Sequence, residues 1–217
     1  VVKHANPCGA ALGDDINHAF KSAWAGDPKS AFGGIVALNR ECSSEIASFL
    51  ASVFVEVITA PSFDDKALEI LSKKPNLRLL ELKIDKSYGS DKQTKLIYGG
   101  VLQQDVDRAI ISPKTCEIVT KIKPNEQMIR TLNFAYRVAR YVKSNAIVIA
   151  KGVQTIGIGP GQVSRVDAVE TAIKKAGEVC GDVHNLDGAV LASDAFFPFP
   201  DSIELIAQNT NIKAIIQ

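Results

Sequence analysis

Short aliphatic and β-branched runs alternate along this chain with stretches whose apolar residues repeat at helical spacing, and that alternation limits the fold more than any other feature. After Asp14 and Asp15, the residues Ile16, Ala19, Phe20, Ala23 and Trp24 form one helical stripe, ended by Gly26 and Pro28. Gly34-Ile35-Val36-Ala37-Leu38 reads as a buried strand. A helix from about Ser44 carries Ile46, Phe49, Leu50 and Val53 on one face. A strand at 55–59, a helix at 64–74 and a strand at 77–82 follow. Strand follows helix each time, which predicts an α/β fold with mainly parallel sheets.

Residues 85–95 are polar, carry Gly89 and read as a surface loop. Leu96-Ile97-Tyr98 and Val101-Leu102 read as a strand interrupted by Gly99-Gly100. The longest predicted helix runs from Asn125 to about Lys143, its buried stripe being Met128, Leu132, Ala135, Ala139 and Val142. Strands at 146–150 and 155–158 come next, then a glycine turn at 157–161 and a helix with Ser164 at its N-cap. The order strand, glycine turn, helix, strand occurs twice, the first copy around Asn6-Pro7-Cys8-Gly9 and the second in the last third. Two explanations stay open: chance, or a duplication giving two related lobes with a cleft between them, at 1–120 and 121–217.

Composition excludes several classes of function. The chain has 217 residues and a net charge of +1, so no global field draws it to nucleic acid or a membrane. No apolar run is long enough to cross a bilayer. Cys8, Cys42, Cys116 and Cys180 form no CxxC pair, which fits a reducing, cytoplasmic setting and no zinc ribbon. Val1-Val2 and Ala214-Ile215-Ile216-Gln217 read as strands cut through, the expectation for a piece of a longer chain.

Four segments could carry chemistry. Lys3-His4 lies where a strand runs out into Asn6-Pro7-Cys8-Gly9. Like-charge repulsion from a neighbouring ammonium favours a neutral imidazole, the form a general base needs. Adjacent strand residues point to opposite faces, so both serve one site only if the strand ends there; otherwise they are a surface pair. Cys8 follows Pro7 as in zinc deaminases, but the second cysteine and an HxE are missing, leaving a small buried residue and no metal. Gly157, Gly159 and Gly161 could present N–H groups to a phosphate, with Arg165 as a charged donor, or simply form a tight turn. As a dinucleotide fingerprint their spacing fails. Phe196, Phe197 and Phe199, among Pro198 and Pro200, suit either an aromatic wall for a flat heterocycle, with Asp201 as a polar hook, or a stiff core turn.

Taken together, Lys3-His4-Ala5-Asn6-Pro7-Cys8-Gly9, the Asp27–Gly34 block, the Gly157–Arg165 block and Ser193–Asp201 resemble the AICAR formyltransferase domain of bifunctional purine-biosynthesis enzymes, in its bacterial form. The resemblance spans essentially the whole chain. It implies a cytidine-deaminase-like fold of two related lobes, a homodimer with a shared active site, AICAR as substrate and 10-formyltetrahydrofolate as co-substrate, with no metal. It implies that Lys3, His4 and Asn145 are catalytic, that Gly33, Glu56, Arg165 and Phe196 bind substrate, and that Val166 and Asp201 contact folate. Glu56 rests on a short strand alignment. The family's IMP cyclohydrolase domain, an arginine-tyrosine block before Lys3 and an arginine-bearing stretch after Gln217 are absent from the sequence, which implies truncation at both ends and an inactive fragment. Pro160 and Pro200 stand where alanine and arginine are expected, the latter at the edge of the folate site. A ligand-binding module of the same family without turnover is the competing reading.

Overall fold

The computed structural model describes residues 1–83, 92–109 and 111–217. The first sheet contains β1 (Val2–Lys3), β2 (Asn6–Pro7), β3 (Gly34–Ala37), β4 (Val55–Ala60) and β5 (Arg78–Glu81), in the order β2-β1-β3-β4-β5. Strands β3, β4 and β5 are parallel, joined by α3 (Ser44–Ser52) and α4 (Asp65–Leu71). Strand β1 runs antiparallel to β2 and β3. Each helix of this first half starts where a side chain satisfies an otherwise orphaned N–H. The Asp15 carboxylate accepts from the His18 amide at the head of α1 (Ile16–Ala25), and Ser43 and Asp64 do the same for α3 and α4. A single turn, α2 (Pro28–Ala31), is capped by Asp27. Phe20, Val36, Ile46, Leu50, Ile58 and Leu71 fill the core between sheet and helices, and each such side chain contributes about 1.5–3 kcal/mol by leaving water.

The second sheet contains β8 (Ile147–Lys151), β9 (Gln154–Gly159), β10 (Ala189–Ser193) and β11 (Ile215–Ile216), ordered β11-β10-β8-β9. Strand β8 is buried on both faces. Val148 and Ala150 meet Leu132, Ala135 and Ala139 of α5 (Glu126–Ala139), whereas Ile147 and Ile149 meet Val169, Ala172 and Ile173 of α6 (Arg165–Cys180). The last helix, α7 (Asp201–Asn209), crosses from β10 to β11, and those two strands are parallel.

Mainly parallel pairing is therefore corrected to mixed pairing. Strand β8 is antiparallel to both β9 and β10, and the Gly152-Val153 link between β8 and β9 is far too short for the crossover that parallel neighbours need. The longest helix is α6, not α5. Helix α5 stops at Ala139, where the Tyr141 and Val142 amides turn to the i−3 carbonyls of Val138 and Ala139. Val142 stays buried nonetheless, which is why its apolar spacing looked helical. Of the loop expected at 85–95, residues 85–91 lie outside the described residues. Lys92–Ile97 forms β6, paired antiparallel with β7 (Gly100–Asp105) across a Tyr98-Gly99 turn. Among the described residues no helix is long and apolar enough to cross a membrane.

Two of the glycines expected to form a turn lie inside β9. A Cβ on Gly157 would stand 2.2 Å from the Ala172 carbonyl oxygen, and one on Gly159 would stand 1.9 Å from that of Ala168. Their role is the close approach of α6 to the sheet. Gly9 performs the same service for α1, with a Cβ position 1.9 Å from the Ala23 oxygen. Gly159→Ala should therefore lower stability by about 2–4 kcal/mol in urea unfolding, while Gly100→Ala, which meets open space, should change it by less than about 0.5 kcal/mol. Cys8 and Cys42 are buried and Cys116 and Cys180 are partly exposed. Burial, helped by Asp64 and Glu41, pushes the Cys42 thiol up to about 11. A thiol reagent at pH 8 should label Cys116 and Cys180 in the native protein, and Cys8 and Cys42 only after denaturation.

Candidate active site

The site begins at the end of β1. Lys3 pairs with Asn6 in a tight β1–β2 hairpin whose turn is His4-Ala5, and His4 takes φ 54°, a left-handed conformation that costs a non-glycine residue about 1–3 kcal/mol. The strand thus ends at Lys3, the condition under which both side chains could serve one site. The Lys3 ammonium donates to the carbonyls of Phe32 (2.8 Å) and Gly33 (3.0 Å). An ammonium has three donors, so one remains for a ligand. Gly33 is at φ 64°, and a Cβ there would crowd the Lys3 Nζ and the Phe54 ring, each at 3.0 Å. Its amide donates to Phe54 O at 2.8 Å. Glu56 follows Val55, the register partner of Gly34, and its carboxylate accepts from Arg78 at 2.9 Å in an exposed pair.

The second part of the site is the loop between α5 and β8. Asn6 Oδ1 accepts from the Lys143 amide at 2.8 Å, which ties the Lys3-His4 hairpin to this loop. The Ser144–Asn145 peptide is cis. Asn145 Nδ2 donates to the carbonyls of Gln162 (2.9 Å) and Val163 (3.0 Å), and the Gly161 amide donates to Lys143 O at 2.7 Å. Gly161 at φ 65° makes that turn possible, but its N–H is consumed within the protein and is not offered to a phosphate. Oδ1 of Asn145 carries no protein hydrogen bond among the described residues, which leaves it free to accept one.

Arg165 opens α6, whose N-cap is Ser164 as the sequence suggests. Its Nη1 donates to Ser193 Oγ (2.8 Å) and Asp194 Oδ1 (2.5 Å), and the side chain is only 12% exposed against 17% for Asp194. Nε and Nη2 carry no protein partner among the described residues. Asp194 also accepts from the Ala146 amide at 3.1 Å. Burial works against its charge, yet bonds from Ser144, Arg165 and Ala146 outweigh that and hold the carboxyl below its usual range.

The aromatic segment divides. Phe196 and Phe199 are exposed, whereas Phe197 packs into the α6 core. Val166, half-buried, shares the first turn of α6 with Arg165. Asp201 is the first residue of α7, and its carboxylate accepts from the Ser202 amide at 2.6 Å. One hydrogen-bonded chain therefore joins the Lys3-His4 hairpin, Asn145 and Arg165, with Gly33 attached through Lys3 and Phe196 two residues beyond Asp194. Glu56 and Asp201 stand outside that chain among the described residues. Sequence reasoning left Asn6 and Asp194 without roles; the only signal was their place inside the quoted motifs. Two cavities, of about 340 and 380 Å³, are lined by Val1 with residues of the 9–23 and 36–40 segments, and by Ala25–Lys29 with Lys175, Glu178 and Val179; neither includes His4, Asn145 or Arg165.

Comparison with known proteins bears on what these residues serve. The chain is 50% identical over 217 residues to the bifunctional purine biosynthesis protein PurH of Fusobacterium nucleatum. It is 48% identical over 216 residues to that of Oceanobacillus iheyensis and 47% identical over 216 residues to that of Anoxybacillus flavithermus. Each match takes in 100% of this chain and 41% of the relative, so the chain spans less than half the length of the proteins it matches. The profile of the AICARFT/IMPCHase bienzyme family matches residues 1–175, a stretch that holds Lys3, His4, Gly33, Glu56, Asn145, Arg165 and Val166. On both grounds the chain belongs to the AICARFT/IMPCHase bienzyme family.

Proposed function

We propose that this chain forms the formyl-transfer site of a purine-biosynthesis enzyme, moving the formyl group of 10-formyltetrahydrofolate onto the 5-amino group of AICAR. The observation that carries this reading is the set of unsatisfied groups on one hydrogen-bonded chain: the third Lys3 donor, the His4 imidazole at its turn, Asn145 Oδ1 and two Arg165 nitrogens. Separate five-stranded and four-stranded sheets, one from the first half of the chain and one from the second, support reading it as a cytidine-deaminase-like pair of lobes at 1–120 and 121–217.

The amine of AICAR is a weak nucleophile, because its lone pair delocalises into the ring and carboxamide. As it attacks the formyl carbon, negative charge grows on the formyl oxygen and positive charge on the amine nitrogen. Lys3 stabilises the first and His4 removes the proton that relieves the second. The bond from carbon to the folate nitrogen then breaks, and the imidazolium or Lys3 returns a proton to that nitrogen. Asn145 Oδ1 accepts from the substrate carboxamide, Phe196 stacks on its ring, Arg165 takes its phosphate or another polar edge, and Gly33 and Glu56 line the substrate. Val166 and Asp201 contact the folate. The step needs no metal and no covalent enzyme intermediate, and the setting is cytoplasmic.

A second copy of the chain is the proposed partner, completing a shared site. Leu96 (82%), Val119 (83%) and Ile122 (85%) are among many exposed apolar side chains between residues 92 and 122, a concentration that water disfavours. Sedimentation at high micromolar concentration should give a dimer; a folded monomer would count against the pairing. For the chemistry, His4→Ala in the enzyme carrying this sequence should lower kcat by roughly 10²–10⁴-fold with a much smaller loss of AICAR affinity. Lys3→Met should cut turnover while folate binding persists. Tetrahydrofolate formation reads the transfer and calorimetry reads the binding. Retained kcat in His4→Ala would falsify the assignment of the base, and tight binding without any turnover in the unmutated enzyme would favour a binding module.

A further inference from the structure

The Arg165 side chain is long, sits at the start of α6 and, among the described residues, hydrogen-bonds only through Nη1. What fixes it is a carboxylate from another element, just past the end of β10. Asp194 Oδ1 receives Arg165 Nη1 at 2.5 Å and the Ala146 amide at 3.1 Å, while the Asp194 amide donates back to Ala146 O at 3.2 Å. Ser144, on the other side of Asn145, also favours the ionised form of this carboxyl. Ser193 Oγ accepts from Arg165 and donates to Ala195 O at 2.7 Å, so the neighbouring hydroxyl is held in place as well. Residues 144 and 146 flank Asn145, and one carboxylate therefore sets both the loop that presents Asn145 and the direction of the Arg165 fork.

We propose that Asp194 is a positioning residue for the transfer site, clamping Arg165 and the 144–146 loop so that Arg165 Nε and Nη2 and Asn145 Oδ1 meet AICAR in one fixed relation. The inference rests on the formyl-transfer reading given above. Asp194 does not touch the substrate; it acts through Arg165 and Asn145. Loss of its charge leaves the shape of the side chain but frees the guanidinium to swing, and misplacement of a binding group by about 1 Å costs up to roughly 100-fold in rate.

The test compares Asp194→Asn, Ser144→Ala, Arg165→Gln and the Asp194→Asn/Arg165→Gln double variant in the enzyme carrying this sequence. Its readouts are AICAR affinity by calorimetry, kcat and KM for both substrates, and the thermal midpoint. With Asp194→Asn, KM for AICAR should rise roughly 10-fold to 100-fold at a temperature where the protein is folded, with KM for the folate changed far less. Ser144→Ala should weaken AICAR binding in the same direction by a smaller factor. In the double variant the two losses should fall short of multiplying, because part of the carboxylate's effect passes through the guanidinium and only the part that passes through the 144–146 loop remains. A folded Asp194→Asn enzyme with unchanged affinity and kcat, or losses that multiply in the double variant, would overturn the proposal. Should Asp194→Asn not fold, an unchanged AICAR affinity in Ser144→Ala would overturn it, and a weakened one would support it. An unmutated enzyme that binds no AICAR would instead bring down the functional reading, and this proposal with it.

Discussion

Strand β9 is hydrogen-bonded along both edges. On one side it pairs with β8; on the other the segment after β2 runs beside it, with the Thr155 amide donating to Ala10 O at 2.9 Å, Leu12 donating to Val153 O at 2.9 Å, and an Ala11–Gln154 bridge. Those bonds join the Lys3-His4 hairpin to the second sheet. The face of β9 is equally committed, because Gly157 and Gly159 let the α6 backbone close against it until no Cβ would fit. The position of α6 decides where Arg165 stands, and the edge bonds of β9 decide where the hairpin stands. The geometry of the site thus follows from one strand that tolerates no side chain at two positions.

Ion pairs then fix what backbone packing leaves loose. Asp27 is nearly buried, caps α2 and pairs with Lys175 of α6, whose ammonium also donates to Ser30 Oγ at 3.2 Å. Burial opposes the Asp27 charge, but the bonds from Lys175 and Ser30 prevail and keep its carboxyl below the usual range. The pair spans the two halves of the chain, as Asp194–Arg165 spans β10 and α6. Partly buried pairs of this kind tie elements together in a chosen relation more than they add stability, since desolvation offsets much of their attraction. The exposed pairs, such as Arg78–Glu56, carry little of either.

Much of this was legible in the residues. Helix starts could be read because caps are local chemistry: Asp15, Ser43, Asp64, Asn125 and Ser164 each bond the amide three residues on. Buried strands such as 147–150 declared themselves by an unbroken apolar run. The motif blocks hold Lys3, His4 and Arg165 and the resemblance adds Asn145; hydrogen bonds link the segments that carry these residues. Two readings failed for a physical reason. Gly161 does turn, but Gly157 and Gly159 read as turn residues only because composition cannot distinguish a glycine needed for dihedral freedom from one needed for close approach. Parallel pairing was expected for the second sheet because alternation of helix and strand reports element order and is silent on direction.

The sequence by itself determined most of the helical and strand segments and where several of the helices start, since these depend on side chains a few positions apart. Tertiary structure alone decided the antiparallel β8–β9–β10 pairing, the landing of the Lys3 ammonium on the Phe32 and Gly33 carbonyls, and the capture of Arg165 by Asp194. These contacts join residues 29 or 30 positions apart in the two side-chain cases. Their geometry exists only once whole sheets have closed on their helices, because no local periodicity records which distant carbonyl or carboxylate a long cationic side chain will reach.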